Sequence, residues 1–311
     1  MKSFLQTEQW AEFKKAQGFE IIEFDSLFVH KRPLPLGQNF LYIPEASGET
    51  VTKDELDKLK KLAKQHDSVF LRLELIDHYS DNADAIMKAF KFRKAFEEVQ
   101  PKWRQIIDLK RDEAEILSQM KPKGRYNIRL AQRHGVKIDH YNSRDLPKLK
   151  DWQKILASFY KMYESTVERE DLGGRNQKYF EDMVDKFSLT DYLEIYIARY
   201  NEEPVAAAII GFFDSAANYL YGGSSREHKE VMAPYLMHWQ IICDARLRGM
   251  KIYDLIGRTA PGKTGKWAGV TKFKEQFGGQ AVEIMGSYDY VLKPAIYRTF
   301  KLAEKMRRKS E

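Results

Sequence analysis

The sequence predicts an α+β fold of two units with mixed sheets, and three observations carry that reading. The chain has 311 residues, and since domains usually run about 100–200 residues, two fit. Short apolar runs that alternate with a period of two are interleaved with longer runs at helical spacing, the marks of strands and of amphipathic helices. After Leu109 the pattern begins again. The first unit is accordingly expected over residues 1–110, the second over 111–290, with a C-terminal helix over 291–311 packing back on the first.

The first helix is marked by Thr7 as N-cap, by Trp10 and Phe13 on one face, and by Gly18 at its end. Apolar runs at Ile21–Phe24 and Phe40–Ile43 follow, punctuated by Pro33, Pro35 and Pro44. Asp54–Lys64 reads as a helix because Leu56, Leu59 and Leu62 recur three apart. Val69–Leu75 alternates as a strand with Arg72 and Glu74 on its polar side. A helix over Ala83–Phe92 and a strand over Trp103–Leu109 complete the first half.

The second half is more sharply drawn. Glu113–Met120 and Gly124–His134 read as helices and Val136–His140 as a strand. Pro147–Glu168 reads as one long helix, with Leu149, Trp152, Leu156, Phe159 and Tyr163 on a face; a first-turn proline is tolerated there, since that N–H has no intrahelical partner to lose. Gly173-Gly174 breaks the chain before a helix over Gln177–Phe187. Tyr192–Tyr200, Pro204–Phe213 and Asn218–Tyr221 are successive strands joined by tight turns. A helix over Val231–Arg248 then leads to a strand over Lys251–Ile256. Helix, helix, three antiparallel strands, helix, strand is the order of the GNAT acyltransferase fold, and two such units are expected.

Composition bounds the function. Charged residues make up 31% and aromatics 13%, which excludes a disordered tail and a greasy membrane protein. The longest uncharged apolar stretch, Pro204–Phe213, falls far short of the roughly 20 residues of a membrane span. Met1–Trp10 lacks the apolar core of a secretory signal. The single Cys243 excludes an intrachain disulfide and a multi-cysteine zinc site, and fits a reducing, cytoplasmic setting. The net charge of +7 invites an anionic partner. No repeat of about 20–50 residues is present.

Several clusters are candidates for chemistry. Gly257-Arg-Thr-Ala-Pro-Gly262-Lys263-Thr264 matches the P-loop pattern and follows a strand. A P-loop needs a packed helix behind it, and here Gly265 and Gly269 weaken one. A flexible basic loop beside a site is the better reading. Arg125, Arg129 and Arg133 are four apart and form a stripe in a stretch free of acids; such a stripe pairs with phosphates or is a solvated helix face. From Gly257 to Lys274 there is again no acid, while Arg258, Lys263, Lys266, Lys272 and Lys274 are basic. Lys274, flanked by Phe273 and Phe277, either stabilises negative charge at a fixed depth or snorkels from an element's edge. Arg169 and Arg175 flank the Gly173-Gly174 break, and Tyr219 and Tyr221 alternate on one strand face before Gly222-Gly223-Ser224. The seven histidines make no metal-binding pair. Cys243, mid-helix, reads as core.

In this order the pieces resemble the FemABX aminoacyltransferases, which build the peptidoglycan interpeptide bridge. The resemblance runs from Phe4-Leu-Gln-x₃-Trp10-Ala-x-Phe-Lys14 through Lys123-x-Arg125-x₂-Ile128-x₂-Ala131-x₃-Gly135-Val136, Arg175-x₃-Tyr179-Phe180, Tyr221-x-Gly223-Ser224 and Tyr253-Asp254-Leu255-x-Gly257 to Phe273-Lys274-x₂-Phe277-Gly278. It implies two GNAT-like domains with a cleft between them. It also implies transfer of an aminoacyl group from aminoacyl-tRNA, as co-substrate and with no cofactor or metal, to the stem-peptide amine of a lipid- or UDP-linked muropeptide. By the same resemblance Lys14 and Arg175 grip the precursor's diphosphate, Tyr179 and Tyr221 line the site, and Phe273-Lys274 stand at the reacting ester. Glu74 matches an acid of a relative, as Glu in place of Asp, and Val69 stands where that relative has a tyrosine. The coiled-coil arm of some members has no counterpart here, so tRNA phosphates are assigned to Arg125, Arg129, Arg133, Lys263 and Lys266.

The remaining expectations are a monomer in the cytoplasm, with the basic end Lys301–Lys309 touching the inner membrane surface or forming a solvated helix. Two other readings stand beside this one. A CoA-dependent N-acyltransferase would need a glycine-spaced pyrophosphate loop that Gly222–Ala233 lacks. Transfer from tRNA to a protein or lipid amine differs only in the acceptor.

Overall fold

The computed structural model describes residues 2–48, 51–170, 173–265 and 267–310. Two compact units separate within it, Met1–Lys102 with Glu283–Glu311, and Trp103–Val282.

The first unit begins with α1 (Glu8–Ala16), where the Thr7 hydroxyl accepts from the Trp10 amide and Trp10 and Phe13 are buried. An antiparallel meander follows: β1 (Glu20–Phe24), β2 (Leu27–Pro33) and β3 (Asn39–Ala46). The chain crosses over through α2 (Lys53–Gln65), started by a Thr52/Glu55 capping box and fixed to the sheet by Leu56, Leu59 and Leu62. It returns as β4 (Phe70–His78), parallel to β3. α3 (Asp81–Ala89) and the short β5 (Arg93–Lys94) complete this stretch.

The second unit starts with β6 (Trp103–Asp108), α4 (Glu113–Gln119), α5 (Pro122–Arg133) and β7 (Lys137–Asn142). α6 (Trp152–Arg169) and α7 (Gln177–Phe187) precede the meander β8 (Leu193–Tyr200), β9 (Glu203–Phe213) and β10 (Ala216–Ser224). α8 (Ala233–Leu247) carries the chain to β11 (Ile252–Gly257), parallel to β10, and α9 (Ala268–Lys274) follows. β6 pairs antiparallel with β11. β12 (Gln280–Val291) then pairs antiparallel with β4, taking the matching place in the first unit's sheet. α10 (Pro294–Ser310) ends the chain, with Tyr297 packed edge-on to Phe70.

Both units therefore share one wiring: a three-stranded meander, a helical crossover to a parallel strand, and an antiparallel strand beyond it. This is the tandem GNAT-like arrangement that the order of elements predicts. Four details differ from the sequence reading. β6 belongs to the second sheet and β12 to the first, so the units divide at 102/103 and 282/283. β2, β5, β12 and the helix α9 have no counterpart in the reading. α6 starts at Trp152, because Leu149 is extended (ψ 134°) after a separate turn over Leu146–Lys148, which leaves Leu149 exposed. The polar side of β4 is itself buried. Arg72 pairs with Asp289 at 2.8 Å and Glu97 at 3.0 Å, and Glu74 accepts from Tyr42 Oη, the Gln100 amide and Ser287 Oγ.

One asymmetry positions the site. β3 and β4 pair from Leu41–Leu71 to Ala46–Leu75. β10 and β11 pair only over Ala216–Asn218 against Ile252–Asp254. Beyond Asn218 both strands run on unpaired with each other, and the second unit's sheet opens there.

Candidate active site

A cavity of about 300 Å³ lies against β10, the start of α8 and α9. Its walls are Gly222–Ser224 of β10, the first turn and His238 of α8, and Phe273 and Lys274 of α9. The glycines are required by close approach. A Cβ on Gly223 would lie 2.1 Å from the Met162 carbonyl oxygen of α6, and one on Gly222 would lie 2.4 Å from Tyr219 Oη.

Lys274 is 5% exposed. Its Nζ donates to the Gly257 carbonyl at 2.5 Å and lies 5.8 Å from the Tyr219 ring centre. Burial pulls its pKa down to about 8; Asp254 opposes the shift, and Arg104 and Arg258 add to it. At neutral pH the side chain is thus a largely protonated ammonium that can release its proton readily. Phe273 packs edge-on to Tyr235 at 5.2 Å and His238 at 5.4 Å, so it fixes the wall beside the lysine. His238 shares a 2.7 Å hydrogen bond between Nδ1 and Tyr253 Oη. Burial, with help from Lys274, holds its pKa near 3, so the ring is neutral.

Arg175, Tyr179 and Tyr221 meet in the same unit. The tyrosine hydroxyls are 2.8 Å apart, and the Arg175 guanidinium lies 5.2 Å from the Tyr179 ring centre. The Arg175 amide donates to Tyr163 Oη at 3.1 Å. Burial raises both Tyr179 and Tyr221, which are neutral hydrogen-bonding groups. A register shift between Tyr219 and Tyr221 corrects the expectation that they share surroundings. Tyr219 packs on His238 of α8, whereas Tyr221 packs on Phe180 of α7.

The basic stripe divides. Arg129 and Arg133 are exposed, and Arg133 lies 5.8 Å from the Tyr126 ring centre. Arg125 turns back and donates to the Ser118 and Met120 carbonyls, a cap on the preceding helix. Lys263 is exposed on a turn closed by its own amide to the Ala260 carbonyl. Lys266 lies outside the described residues. No helix begins at Thr264, and Arg258 is engaged by Glu275 and Thr259, so the P-loop pattern builds no phosphate cradle.

In the first unit the Lys14 ammonium sits 4.9 Å from the ring centres of Trp10 and Phe13 and 5.6 Å from that of Phe19. Arg32 covers Phe19 at 4.5 Å. Both cations bear on the buried His30, whose pKa falls to about 3, chiefly through desolvation. Glu74, expected to contact substrate, is fully buried and spends both oxygens on internal donors. Among the described residues no group of three His, Cys, Asp or Glu is placed to hold a metal, and no helix is long and apolar enough to cross a membrane.

Two site residues escaped the sequence reading. His238 was grouped with histidines that form no metal pair. Asp254 was noted only as part of a motif, although a lone carboxylate inside the apolar strand Ile252–Gly257 is itself a signal, since parallel strands are buried on both faces.

Known proteins similar to this chain match nearly its whole length. A profile of the FemAB family matches residues 1–203 and 191–305. The lipid II:glycine glycyltransferase of Staphylococcus haemolyticus (strain JCSC1435) is 21% identical over 383 residues, covering 94% of this chain and 89% of that protein. The crystal structure of FemX superposes with a TM-score of 0.80 at 20% identity, over 96% of this chain and 94% of that one. L-PGS from Bacillus licheniformis superposes with a TM-score of 0.58 at 12% identity, over 98% of each chain. At these identities the structural likenesses establish the fold.

Proposed function

The chain belongs to the FemAB family, and on that premise we propose that it is an aminoacyltransferase of cell-wall bridge synthesis. It takes an aminoacyl group from aminoacyl-tRNA and joins it to the stem-peptide amine of a lipid- or UDP-linked peptidoglycan precursor. The observation that carries this reading is the buried, protonated Lys274 in the wall of the cavity bounded by β10, α8 and α9. Relatives over nearly the whole chain, named lipid II:glycine glycyltransferases, support the acceptor class.

The reaction is an aminolysis. The neutral amine attacks the ester carbonyl, a C–N bond forms, and an oxyanion develops. The C–O bond to the ribose then breaks, the nitrogen loses a proton and the leaving oxygen gains one. An ammonium in a water-poor cavity stabilises the oxyanion strongly, because little solvent screens it. With a pKa of about 8 the same group can hand its proton to the leaving oxygen. Arg175, beside the Tyr179–Tyr221 pair, serves the precursor's diphosphate, as does Lys14 in the first unit. Arg129, Arg133 and Lys263 serve tRNA phosphates. The protein works as a cytoplasmic monomer at the inner face of the membrane when the acceptor is lipid-linked.

The test is incubation with a mixture of charged tRNAs and a panel of acceptors: lipid-linked and UDP-linked muropeptides, an amino-lipid and a protein. Mass gain of one aminoacyl residue on a muropeptide is expected. Gain only on the lipid or protein, or acylation from CoA donors alone, would overturn the assignment.

A further inference from the structure

β11 reads Ile252-Tyr-Asp-Leu-Ile-Gly257, apolar but for Asp254. Asp254 is 2% exposed and both of its oxygens are engaged. Oδ2 accepts from Arg104 Nη1 at 2.8 Å across the β6–β11 pair. Oδ1 accepts from the Ile256 amide, two residues on, at 2.6 Å. Ile256 has φ +56°, a left-handed conformation that a β-branched residue adopts only when its surroundings impose it. This reversal immediately precedes Gly257, whose carbonyl receives the Lys274 ammonium. The bend also falls where β11 loses β10, after the Asn218–Asp254 pair.

We propose that Asp254 is a positioning residue for Lys274: it holds the reversed bend at Ile256, and the bend aims the Gly257 carbonyl so that the lysine's ammonium is fixed at the end of the cavity. The inference rests on the aminoacyltransferase reading for its kinetic consequence, while its structural consequence stands apart from activity. Among the described residues no other carboxylate shares this role. Glu275, next to Lys274 in sequence, is taken by Lys121 and Arg258. The remaining charged or titratable groups around the ammonium are Arg104 of β6, Arg258 beyond β11, Tyr219 of β10 and neutral His238 of α8. The two arginines repel it. Asp254 thus both sets the lysine's position through the backbone and supplies the one opposing charge.

Two variants and two readouts test this. Arg104→Gln/Asp254→Ala removes the bend's acceptor without leaving a lone buried guanidinium. Asp254→Asn keeps an oxygen for the Ile256 amide and removes the charge. The first readout is the titration of Lys274 followed by the ¹³Cε resonance of labelled lysine, assigned with Lys274→Arg. The second is kcat and KM for transfer as a function of pH.

In the double variant kcat is expected to fall about 100-fold, the scale of a misplaced reacting group, with the precursor KM little changed. Asp254→Asn is expected to recover most of that loss, with its Lys274 midpoint and the falling limb of kcat moved to lower pH. A folded double variant with parental kcat would overturn the proposal. So would a folded double variant whose Lys274 midpoint stays at the parental value, since a lysine released from its place loses its buried setting. Where the double variant fails to fold, Asp254→Asn with kcat about 100-fold below the parent overturns the proposal, because the bend's acceptor is kept. If the parent protein transfers nothing, the functional reading fails, and the titration still decides the role of Asp254.

Discussion

The lysine at the end of the cavity ties a measurable pH to a single side chain. Because burial brings Lys274 to about 8, transfer is expected to decline as pH rises through that value and the ammonium is lost. Lys274→Arg, which stays charged but does not release its proton, is expected to transfer slowly and without a falling limb in the rate profile. Lys274→Ala is expected to abolish transfer while leaving precursor affinity, measured by calorimetry, largely intact; near-parental turnover would remove Lys274 from the chemistry. Arg175→Ala is expected to do the reverse, weakening precursor binding, and unchanged affinity would take the diphosphate contact from it. Two histidines give a separate forecast for stability. His30 and His238 are buried with pKa values near 3, against an ordinary value near 6.5. Between those values the unfolded chain binds more protons than the folded one. Their neutral forms thus cost nothing above about pH 6.5, and stability is lost as pH falls below it, by about 1 kcal/mol per histidine per pH unit. Urea unfolding at pH 7, 6 and 5 measures this, and His30→Leu is expected to flatten the slope, since neither His30 ring nitrogen has a hydrogen-bond partner to lose.

β10 is the element on which the site depends. It must bring Tyr219 to the cavity and Tyr221 to Tyr179, and let α6 pass over Gly223. Gly223→Ala is expected to destabilise the second unit by about 1–3 kcal/mol, the usual scale of overpacking, because the facing atom is backbone. A parental thermal midpoint would show that α6 can give way. Much of this element was legible from sequence. The turn before it carries Asp214-Ser215, and its glycines signal close approach. The register shift was not, because alternation reads the same until a bulge flips it. β2 hid for a related reason: Leu27 and Val29 are its main apolar marks, and the run ends in Lys31-Arg32-Pro33, which reads as loop. Arg72 and Glu74 looked like the wet side of a strand, yet their partners Asp289 and Ser287 lie more than 200 residues away. Cys243, read as core, is partly buried, with its thiol raised to about 12 and so unreactive.

At the scale of the whole molecule, the order of elements carried the architecture and the family's spaced motifs carried the chemistry. Neither says which sheet a strand joins, because pairing between distant segments leaves no local mark. That is why the sequence places β6 in the first unit and residues 280–290 in the second, and it has a consequence for synthesis. Residues 103–282 hold β6 to β11, which can pair among themselves as soon as they emerge. Residues 1–102 expose the free edge of β4 until β12 arrives from the far end of the chain. Expressed alone, 103–282 is expected to unfold cooperatively and 1–102 to aggregate; a folded 1–102 fragment would show that β12 is dispensable. On the ribosome the part translated first is the part finished last. A nascent chain arrested before residue 283 therefore carries the paired strands β6 to β11 while the first sheet still presents an open, adhesive edge, the state in which a chaperone has most to do.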